Sequence, residues 1–188
     1  MEINNIVSFS HREGWRTWLE QNFQKENEVW LVFFKKDSGK KSMIYNDAVE
    51  EALCFGWIDS ITKKYAEDSR VQRFTPRKSK NNYSQINIER LRWLLERNMV
   101  HPAIVTEVEP LINKPFIFPS DIMNALRQNE NAWKHFQTFS ESYKRIRVAY
   151  IEQALERKKE YDKRLQNFIS KTAQGKRIIG YGGVEKYY

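Results

Sequence analysis

The stretch GWIDSITKKYAEDSRVQRFTPRK, residues Gly56–Lys78, has the pattern of two β-strands joined by a polar turn. The strands are predicted at about Trp57–Tyr65 and Arg70–Pro76, with AEDS between them favouring a turn. Because side chains alternate along a strand, one face of the first strand should carry Trp57, Asp59, Ile61 and Lys63. Pro76 cannot donate a ladder hydrogen bond, so the second strand should end there or lie at an edge. The pattern therefore predicts a hairpin that carries many charges beside a core.

The residues on either side of this hairpin supply the rest of an α+β fold. EVWLVFFKK, Glu28–Lys36, is rich in β-branched and aromatic residues and predicts a central strand. NDAVEEALCFG predicts a helix that Asn46 caps and that Gly56 ends in a left-handed conformation. A further helix is predicted at Ser84–Arg97. We expect Trp30, Val32, Leu53 and Phe55 in the core of a small antiparallel sheet with packed helices.

After the last predicted helix of this region, apolar residues recur with helical spacing and strand patterns disappear, so a mainly helical C-terminal region is expected. Four of the five prolines stand between the last predicted helix and Ser120. These patterns predict an α+β region at 1–110, a connector at 111–118, a helical region at 119–177 and a mobile tail at 178–188.

Composition limits the class of protein. The chain has 188 residues, of which 40% are hydrophobic and 14% aromatic, which is typical of a folded protein and argues against disorder. No apolar run approaches the roughly 18 residues of a membrane span. The N-terminus lacks the pattern of a signal peptide. The single cysteine, Cys54, excludes an internal disulfide and predicts a reducing, cytoplasmic location. We expect Cys54 to pack in the core rather than to act in catalysis.

The net charge of +8 is concentrated in two segments. Nine basic and three acidic residues lie at 63–92, and eleven basic and five acidic residues at 141–177. Such segments are typical of surfaces that attract phosphate, nucleic acid or an acidic protein partner, although many basic proteins use their charge only for solubility.

Most catalytic and metal-binding motifs are missing. The three histidines are scattered, and HExxH, CxxC, a P-loop and GxSxG are not found, so no metal or cofactor is predicted. Glu50 and Glu51 are adjacent carboxylates, but neighbouring helix positions point about 100° apart. We therefore expect these two residues on a solvated helix face.

The strongest candidate for a site surrounds the end of the hairpin. Arg73 and Arg77 bracket the residues FTP, and arginine binds phosphate or carboxylate with paired hydrogen bonds. A helix that begins at Ser84 would add free backbone N–H groups, and Asn87 lies one turn further on. The predicted ligand-binding residues are Trp57, Asp59, Arg73, Arg77, Tyr83, Ser84 and Asn87. In a purely structural alternative, Asp59 forms an ion pair with Arg73 or Arg77, and this ion pair stabilises the hairpin.

Four segments resemble a known family: EVWLVFFKKDSGK, YNDAVEEALCFGWIDS, FTPRKSKNNYSQIN and the final helical segment. They are similar to the YdeI/OmpD-associated family, also called bacteriocin-protection proteins, over about Trp15–Arg177. The resemblance implies a small bacterial protein with a C-terminal helical domain and a link to resistance against bacteriocins or cationic peptides. It implies no established reaction.

Three functions follow as hypotheses. The first is a non-catalytic module that binds an anion, such as a phosphate-containing small molecule or nucleic acid. The second is an enzyme whose site surrounds Asp59 and Arg77. The third is a stress-protection factor that binds another protein, with the hairpin as a structural staple. A cation near Asp59 would lower the pKa of this carboxyl, which suits an ion pair better than a general acid.

Overall fold

The computed structural model describes residues 3–78, 83–180 and 183–188. Its chain divides into two compact units. Unit 1 comprises Met1–Tyr83 and Arg90–Ile112, and unit 2 comprises Ser84–Glu89 and Asn113–Tyr188. The two units are described separately.

The elements from the first strand to the fourth helix combine strands and helices, in keeping with the predicted α+β class. In chain order they are β1 (Ile6–Val7), α1 (Arg12–Asn22), β2 (Val29–Phe34), α2 (Tyr45–Cys54), β3 (Trp57–Ala66), β4 (Ser69–Pro76), α3 (Gln85–Leu95) and α4 (Pro102–Asn113), with a 3-10 turn at Lys36–Ser38. Helix α3 contributes its first residues to unit 2 and the remainder to unit 1.

The sheet of unit 1 has the strand order β1-β2-β4-β3. The predicted hairpin and the central strand β2 are confirmed, and β4 pairs antiparallel with both β2 and β3. Strand β1 was not predicted, and it pairs parallel with β2, so the sheet is mixed rather than purely antiparallel. A strand of only two residues is too short to show alternation in the sequence.

The two faces of the sheet bury different side chains. Phe74 of β4 lies on the face that packs on α1, where its ring contacts Trp15 at 5.4 Å between centroids. The other face carries a small buried cluster of Trp30, Val32 and Val71. The four residues predicted for the core, Trp30, Val32, Leu53 and Phe55, are all buried.

Helix α2 begins one residue earlier than its predicted cap. Its N-cap position is Ile44, which offers no side-chain hydrogen bond, and Asn46 instead accepts a hydrogen bond from Arg90 at 3.1 Å. The predicted end is confirmed, since Gly56 has a φ of +71°. A Cβ atom there would meet the side chain of Ile104 at 3.0 Å, so both conformation and space favour glycine.

Helix α4 occupies much of the proline-containing stretch before the second region. Pro102 is its first residue, a position whose N–H has no partner inside the helix, so the proline costs little there. Because of its prolines, this stretch was predicted to connect the two regions rather than to form a helix.

Unit 2 is mainly helical, as predicted. Its remaining elements are α5 (Ser120–Arg127), α6 (Glu130–Thr138), α7 (Glu141–Glu152) and α8 (Lys158–Ala173), with a 3-10 turn at Glu185–Tyr187. Asn129 and Ser140 cap α6 and α7 through their side chains. The core includes Tyr143, Ile151 and Phe168.

Described residues near the end of the predicted mobile tail at 178–188 are packed in this structure. Val184 and Tyr187 are buried. The ring of Tyr188 contacts that of Tyr143 at 4.8 Å between centroids. Aromatic residues at the end of the tail explain this packing, because they bury large apolar rings.

Candidate functional site

A cavity of about 680 Å³ opens in unit 1 near the start of β3 and the end of β4. We call it the sheet cavity. Arg73 and Thr75 of β4 line it together with Ile58 of β3, which lies opposite Thr75 in the ladder. Residues directly opposed in a ladder point to the same face, so the strand register places these side chains together. Among the described residues, the lining consists of Asn27, Glu28, Ile58, Arg73, Thr75, Pro76, Arg77 and Lys78.

The sheet cavity is basic, with three cations and one carboxylate among its described lining residues. Glu28 binds Arg73, whose Nε donates to the carboxylate at 2.7 Å. Both side chains are about 30% exposed, so water screens this ion pair and its contribution to stability is small. Arg77 and Lys78 add two further positive charges beside this pair.

Two contacts described here hold Arg77 in place. Its backbone N–H donates to the carbonyl oxygen of Gly56 at 2.9 Å. The guanidinium carbon lies 3.9 Å from the centre of the Tyr83 ring, a close cation–π contact. Burial lowers the pKa of Arg77, while the nearby Tyr83, Asp59 and Glu107 act in the opposite direction. Arginine stays charged in proteins, so the side chain remains a cation.

Two predicted ligand-binding residues, Trp57 and Asp59, do not line the sheet cavity. Asp59 lies opposite Phe74 in the ladder, which directs it to the face that packs on the helices. Trp57 is only 1% exposed, and its indole N–H donates to the carbonyl oxygen of Phe23 at 3.1 Å. In this structure Trp57 is therefore a core residue.

The predicted ion pair of Asp59 with Arg73 is wrong, whereas the charge of Asp59 does act on Arg77. Within the described residues, the Asp59 carboxylate accepts a hydrogen bond from the hydroxyl of Tyr45. Burial, followed by this hydrogen bond and the charge of Asp59, raises the pKa of Tyr45. The physical reason is strand alternation, since Arg73 pairs with Trp30 on the face opposite to Asp59.

The other predicted residues have separate positions. Tyr83 belongs to unit 1 and contacts Arg77, whereas Ser84 and Asn87 belong to unit 2. The carbonyl oxygen of Ser84 accepts the N–H groups of Asn87 and Ile88 at 2.9 and 3.0 Å, which marks the start of α3. These two residues are not among those that line the sheet cavity.

The predicted site omitted six of the described cavity residues: Asn27, Glu28, Ile58, Thr75, Pro76 and Lys78. A signal for Glu28 was present, because it directly precedes the central strand and would lie near the end of an antiparallel neighbour. Because Val29 lies opposite Phe74, Glu28, the residue before Val29, lies near Thr75. The register alone would have identified Glu28.

A second ionic cluster corrects the prediction for Glu50 and Glu51. Their side chains are 0% and 1% exposed, so they do not lie on a solvated face. Arg16 binds Glu51 at 2.8 Å, and Arg12 binds Glu51 and lies 3.6 Å from Glu50. Two arginines of α1 thus compensate buried carboxylates of α2, a partnership that helical spacing within α2 alone could not reveal.

The prediction that Cys54 packs in the core is confirmed. Its thiol is fully buried, and burial together with the charge of Glu51 raises its pKa from 9.0 to about 12. A high pKa keeps the thiol protonated and unreactive at neutral pH.

The buried thiol leads to a pH prediction. Because its folded pKa exceeds its unfolded value, the stability from Cys54 is present below about pH 9 and is lost as pH rises toward about 12. Urea unfolding of wild type at several alkaline pH values should show a steeper loss than unfolding of Cys54→Ala, by up to about 1.4 kcal/mol per pH unit. Parallel curves for the two proteins would show that the thiol reaches water.

The described residues meet the requirements of neither a metal site nor a membrane-spanning helix. In the three described ranges, no group of three or more His, Cys, Asp or Glu side chains is arranged to hold a metal ion. None of the helices in these ranges has the length and apolarity that a membrane span requires.

The fold and the sheet cavity define an α+β protein with a basic cavity on its sheet and a second, helical unit. Residues 7–107, more than half of the chain, match the model of a domain of unknown function (DUF8412), and the chain belongs to this family. Residues 115–175 match the family described as Bacteriocin-protection, YdeI or OmpD-Associated. Neither a curated protein nor a solved structure gives a significant match.

The resemblance to the YdeI/OmpD-associated family is confirmed, with a different extent. It was expected over about Trp15–Arg177, whereas the family model covers 115–175. The segments containing ALCFGWIDS and FTPR lie within the other family model. All residues that line the sheet cavity lie there too.

Proposed function

We propose that unit 1 is a non-catalytic module that binds a small phosphate-containing anion in the sheet cavity. One observation carries the proposal: Arg73, Arg77 and Lys78 line the same cavity, while Glu28 is the single carboxylate among its described lining residues. Arginine matches the oxygens of phosphate with paired N–H groups, and lysine adds a point charge.

The size and position of the sheet cavity support a small molecule over a long polymer. Its volume of about 680 Å³ lies within the roughly 300–1,000 Å³ of typical small-molecule sites. Thr75 and Asn27 offer uncharged hydrogen-bonding groups beside the cations, and Ile58 and Pro76 offer apolar surface. A phosphate joined to a partly apolar group, as in a nucleotide, matches this combination.

Glu28 gives the proposal a distinctive feature. It neutralises Arg73 in this structure, and an incoming anion would compete with it for the guanidinium. Because this ion pair is partly exposed, exchanging one carboxylate for another anion costs little. The cytoplasmic location expected from the single cysteine is part of the proposal, since phosphorylated metabolites are abundant there.

The enzyme hypothesis centred on Asp59 and Arg77 gains no support, because Asp59 does not line the sheet cavity and is bonded to Tyr45. A nucleic-acid ligand is a competing outcome rather than a second proposal. Non-specific binding to phosphate backbones would decline steeply with salt.

Lys78→Ala is the most direct test of the proposed function. Lys78 is exposed, so its removal should leave stability unchanged, whereas Arg77→Ala also removes the contact with Tyr83 and should lower stability. A thermal-shift screen with nucleotides, sugar phosphates, short nucleic acids and inorganic phosphate should find a stabilising ligand. Calorimetry should then show about tenfold weaker binding by Lys78→Ala.

Two further variants make this test specific. Lys41→Ala removes an exposed lysine that does not line the sheet cavity and should bind like wild type. Glu28→Gln removes the competing carboxylate and should bind several-fold more tightly. The proposed function fails if no phosphate compound binds, or if Lys78→Ala and Lys41→Ala weaken binding equally.

A further inference from the structure

Unit 2 contains a cavity of about 220 Å³ between facing stripes of α7 and α8, which we call the helix cavity. Arg147, Tyr150 and Ile151 contribute from α7 with the spacing i, i+3, i+4. On α8 the lining residues include Lys163, Arg164 and Phe168, which share one helix face in the same way. The periodicity of two helices thus brings cations and apolar groups to one place.

The apolar part of the helix cavity is buried and well defined. Ile151 and Phe168 are each 1% exposed, and Ile178 closes the wall after α8. Ile178 is fixed at both ends of its peptide: its N–H donates to the Tyr143 hydroxyl at 2.9 Å, and its carbonyl oxygen accepts from Arg147. This wall is preorganised for an apolar group.

The polar part of the helix cavity is cationic. Arg164 is fixed by bonds to Glu160 at 2.8 Å and to the carbonyl oxygen of Tyr150 at 2.7 Å, and its guanidinium stacks on the Tyr150 ring at 3.8 Å. Glu160 compensates one positive charge, so with Arg147 and Lys163 the lining keeps a net charge of +2. Lys163 is exposed and can turn toward a ligand.

We propose that the helix cavity binds a small anion that carries a single ring or branched apolar group, such as an aromatic carboxylate. A cavity of about 150 Å³ holds one benzene ring, so 220 Å³ leaves roughly 70 Å³ for a carboxylate. The ring lies against Tyr150 and Ile178, the partly exposed apolar residues of the lining, with Ile151 and Phe168 buried behind them, and the carboxylate faces Lys163 and Arg164. This site consists of unit 2 residues alone and does not depend on the function proposed for unit 1.

Benzoate is a suitable probe, with benzyl alcohol as its uncharged counterpart. In a titration of the full chain followed by isoleucine methyl NMR, benzoate should shift Ile151 and Ile178 along one saturable curve with a Kd in the millimolar range or tighter. Ile58 lines the sheet cavity and reports separately on unit 1 in the same spectra. Benzyl alcohol should bind at least about tenfold more weakly, because it lacks the charge that the cations attract.

Charge reversal on α8 completes the test. Lys163→Glu should weaken benzoate binding at least about tenfold, while Lys159→Glu, on the same helix but outside the lining, should change it less than about twofold. Both residues are exposed, so both variants should fold. The proposal is overturned if the signals of Ile151 and Ile178 do not saturate with benzoate, or if benzyl alcohol binds as tightly as benzoate. It is also overturned if Lys163→Glu and Lys159→Glu have equal effects on benzoate binding.

Discussion

Replacing both Arg12 and Arg16 with alanine is expected to lower the free energy of unfolding by about 3–5 kcal/mol. The two arginines are the cations that bind Glu51, which is almost fully buried, and Arg12 also lies near the buried Glu50. Without them, the buried Glu51 loses the two guanidinium groups that compensate its charge. Denaturant unfolding of the double variant measures the loss directly.

A matched control separates this effect from a simple loss of positive charge. Lys25→Ala/Lys41→Ala removes two exposed lysines and should change stability by no more than about 1 kcal/mol in total. Adding Glu51→Gln to the double arginine variant should restore part of the loss, since the groups are energetically coupled. If the double arginine variant is as stable as the lysine control, then Glu51 reaches water, in agreement with the prediction of a solvated helix face.

Trp57→Ala should also destabilise strongly, by about 3–5 kcal/mol, the usual cost of truncating a buried aromatic residue. Its ring meets that of Trp18 edge-on at 5.9 Å, and its indole N–H has a partner in the carbonyl of Phe23. Tyr65→Ala is the control, because this aromatic of the same strand is exposed. If Trp57→Ala lowers the free energy of unfolding no more than Tyr65→Ala does, Trp57 lies on the accessible surface, as the predicted ligand-binding role requires.

The elements that the sequence predicted well are those with a long, regular pattern. Strand β2 is a continuous run of β-branched and aromatic residues, a polar turn marks the hairpin, and the C-terminal helices repeat apolar residues with helical spacing. Gly56 marks the end of α2 through its backbone freedom. Strand β1 has two residues and no pattern of its own. The contacts of α1 with α2 are tertiary, so the burial of Glu50 and Glu51 was not visible in the local sequence.

The candidate site was predicted in part, for a reason that the strand register explains. Arg73 and Arg77 do share a cavity, but Trp57 and Asp59 face the opposite side of the sheet. The expected alternation also fails further along β3. The register shifts between Asp59 and Thr62, and Lys63 then lies opposite Val71, on the other face from Asp59. A bulge of this kind changes the face of each later residue and has no reliable sequence signal.

The central claim is that a phosphate-containing anion binds among Arg73, Arg77 and Lys78. The most direct test is a ¹⁵N NMR titration of the full chain with adenosine monophosphate, observing the Nε–H groups of Arg73 and Arg77 and the backbone amide of Lys78. The account predicts that all three signals shift along one saturable curve while the buried indole N–H of Trp57 stays unchanged. Absence of saturation, or equal shifts across the basic residues of unit 2, would contradict it.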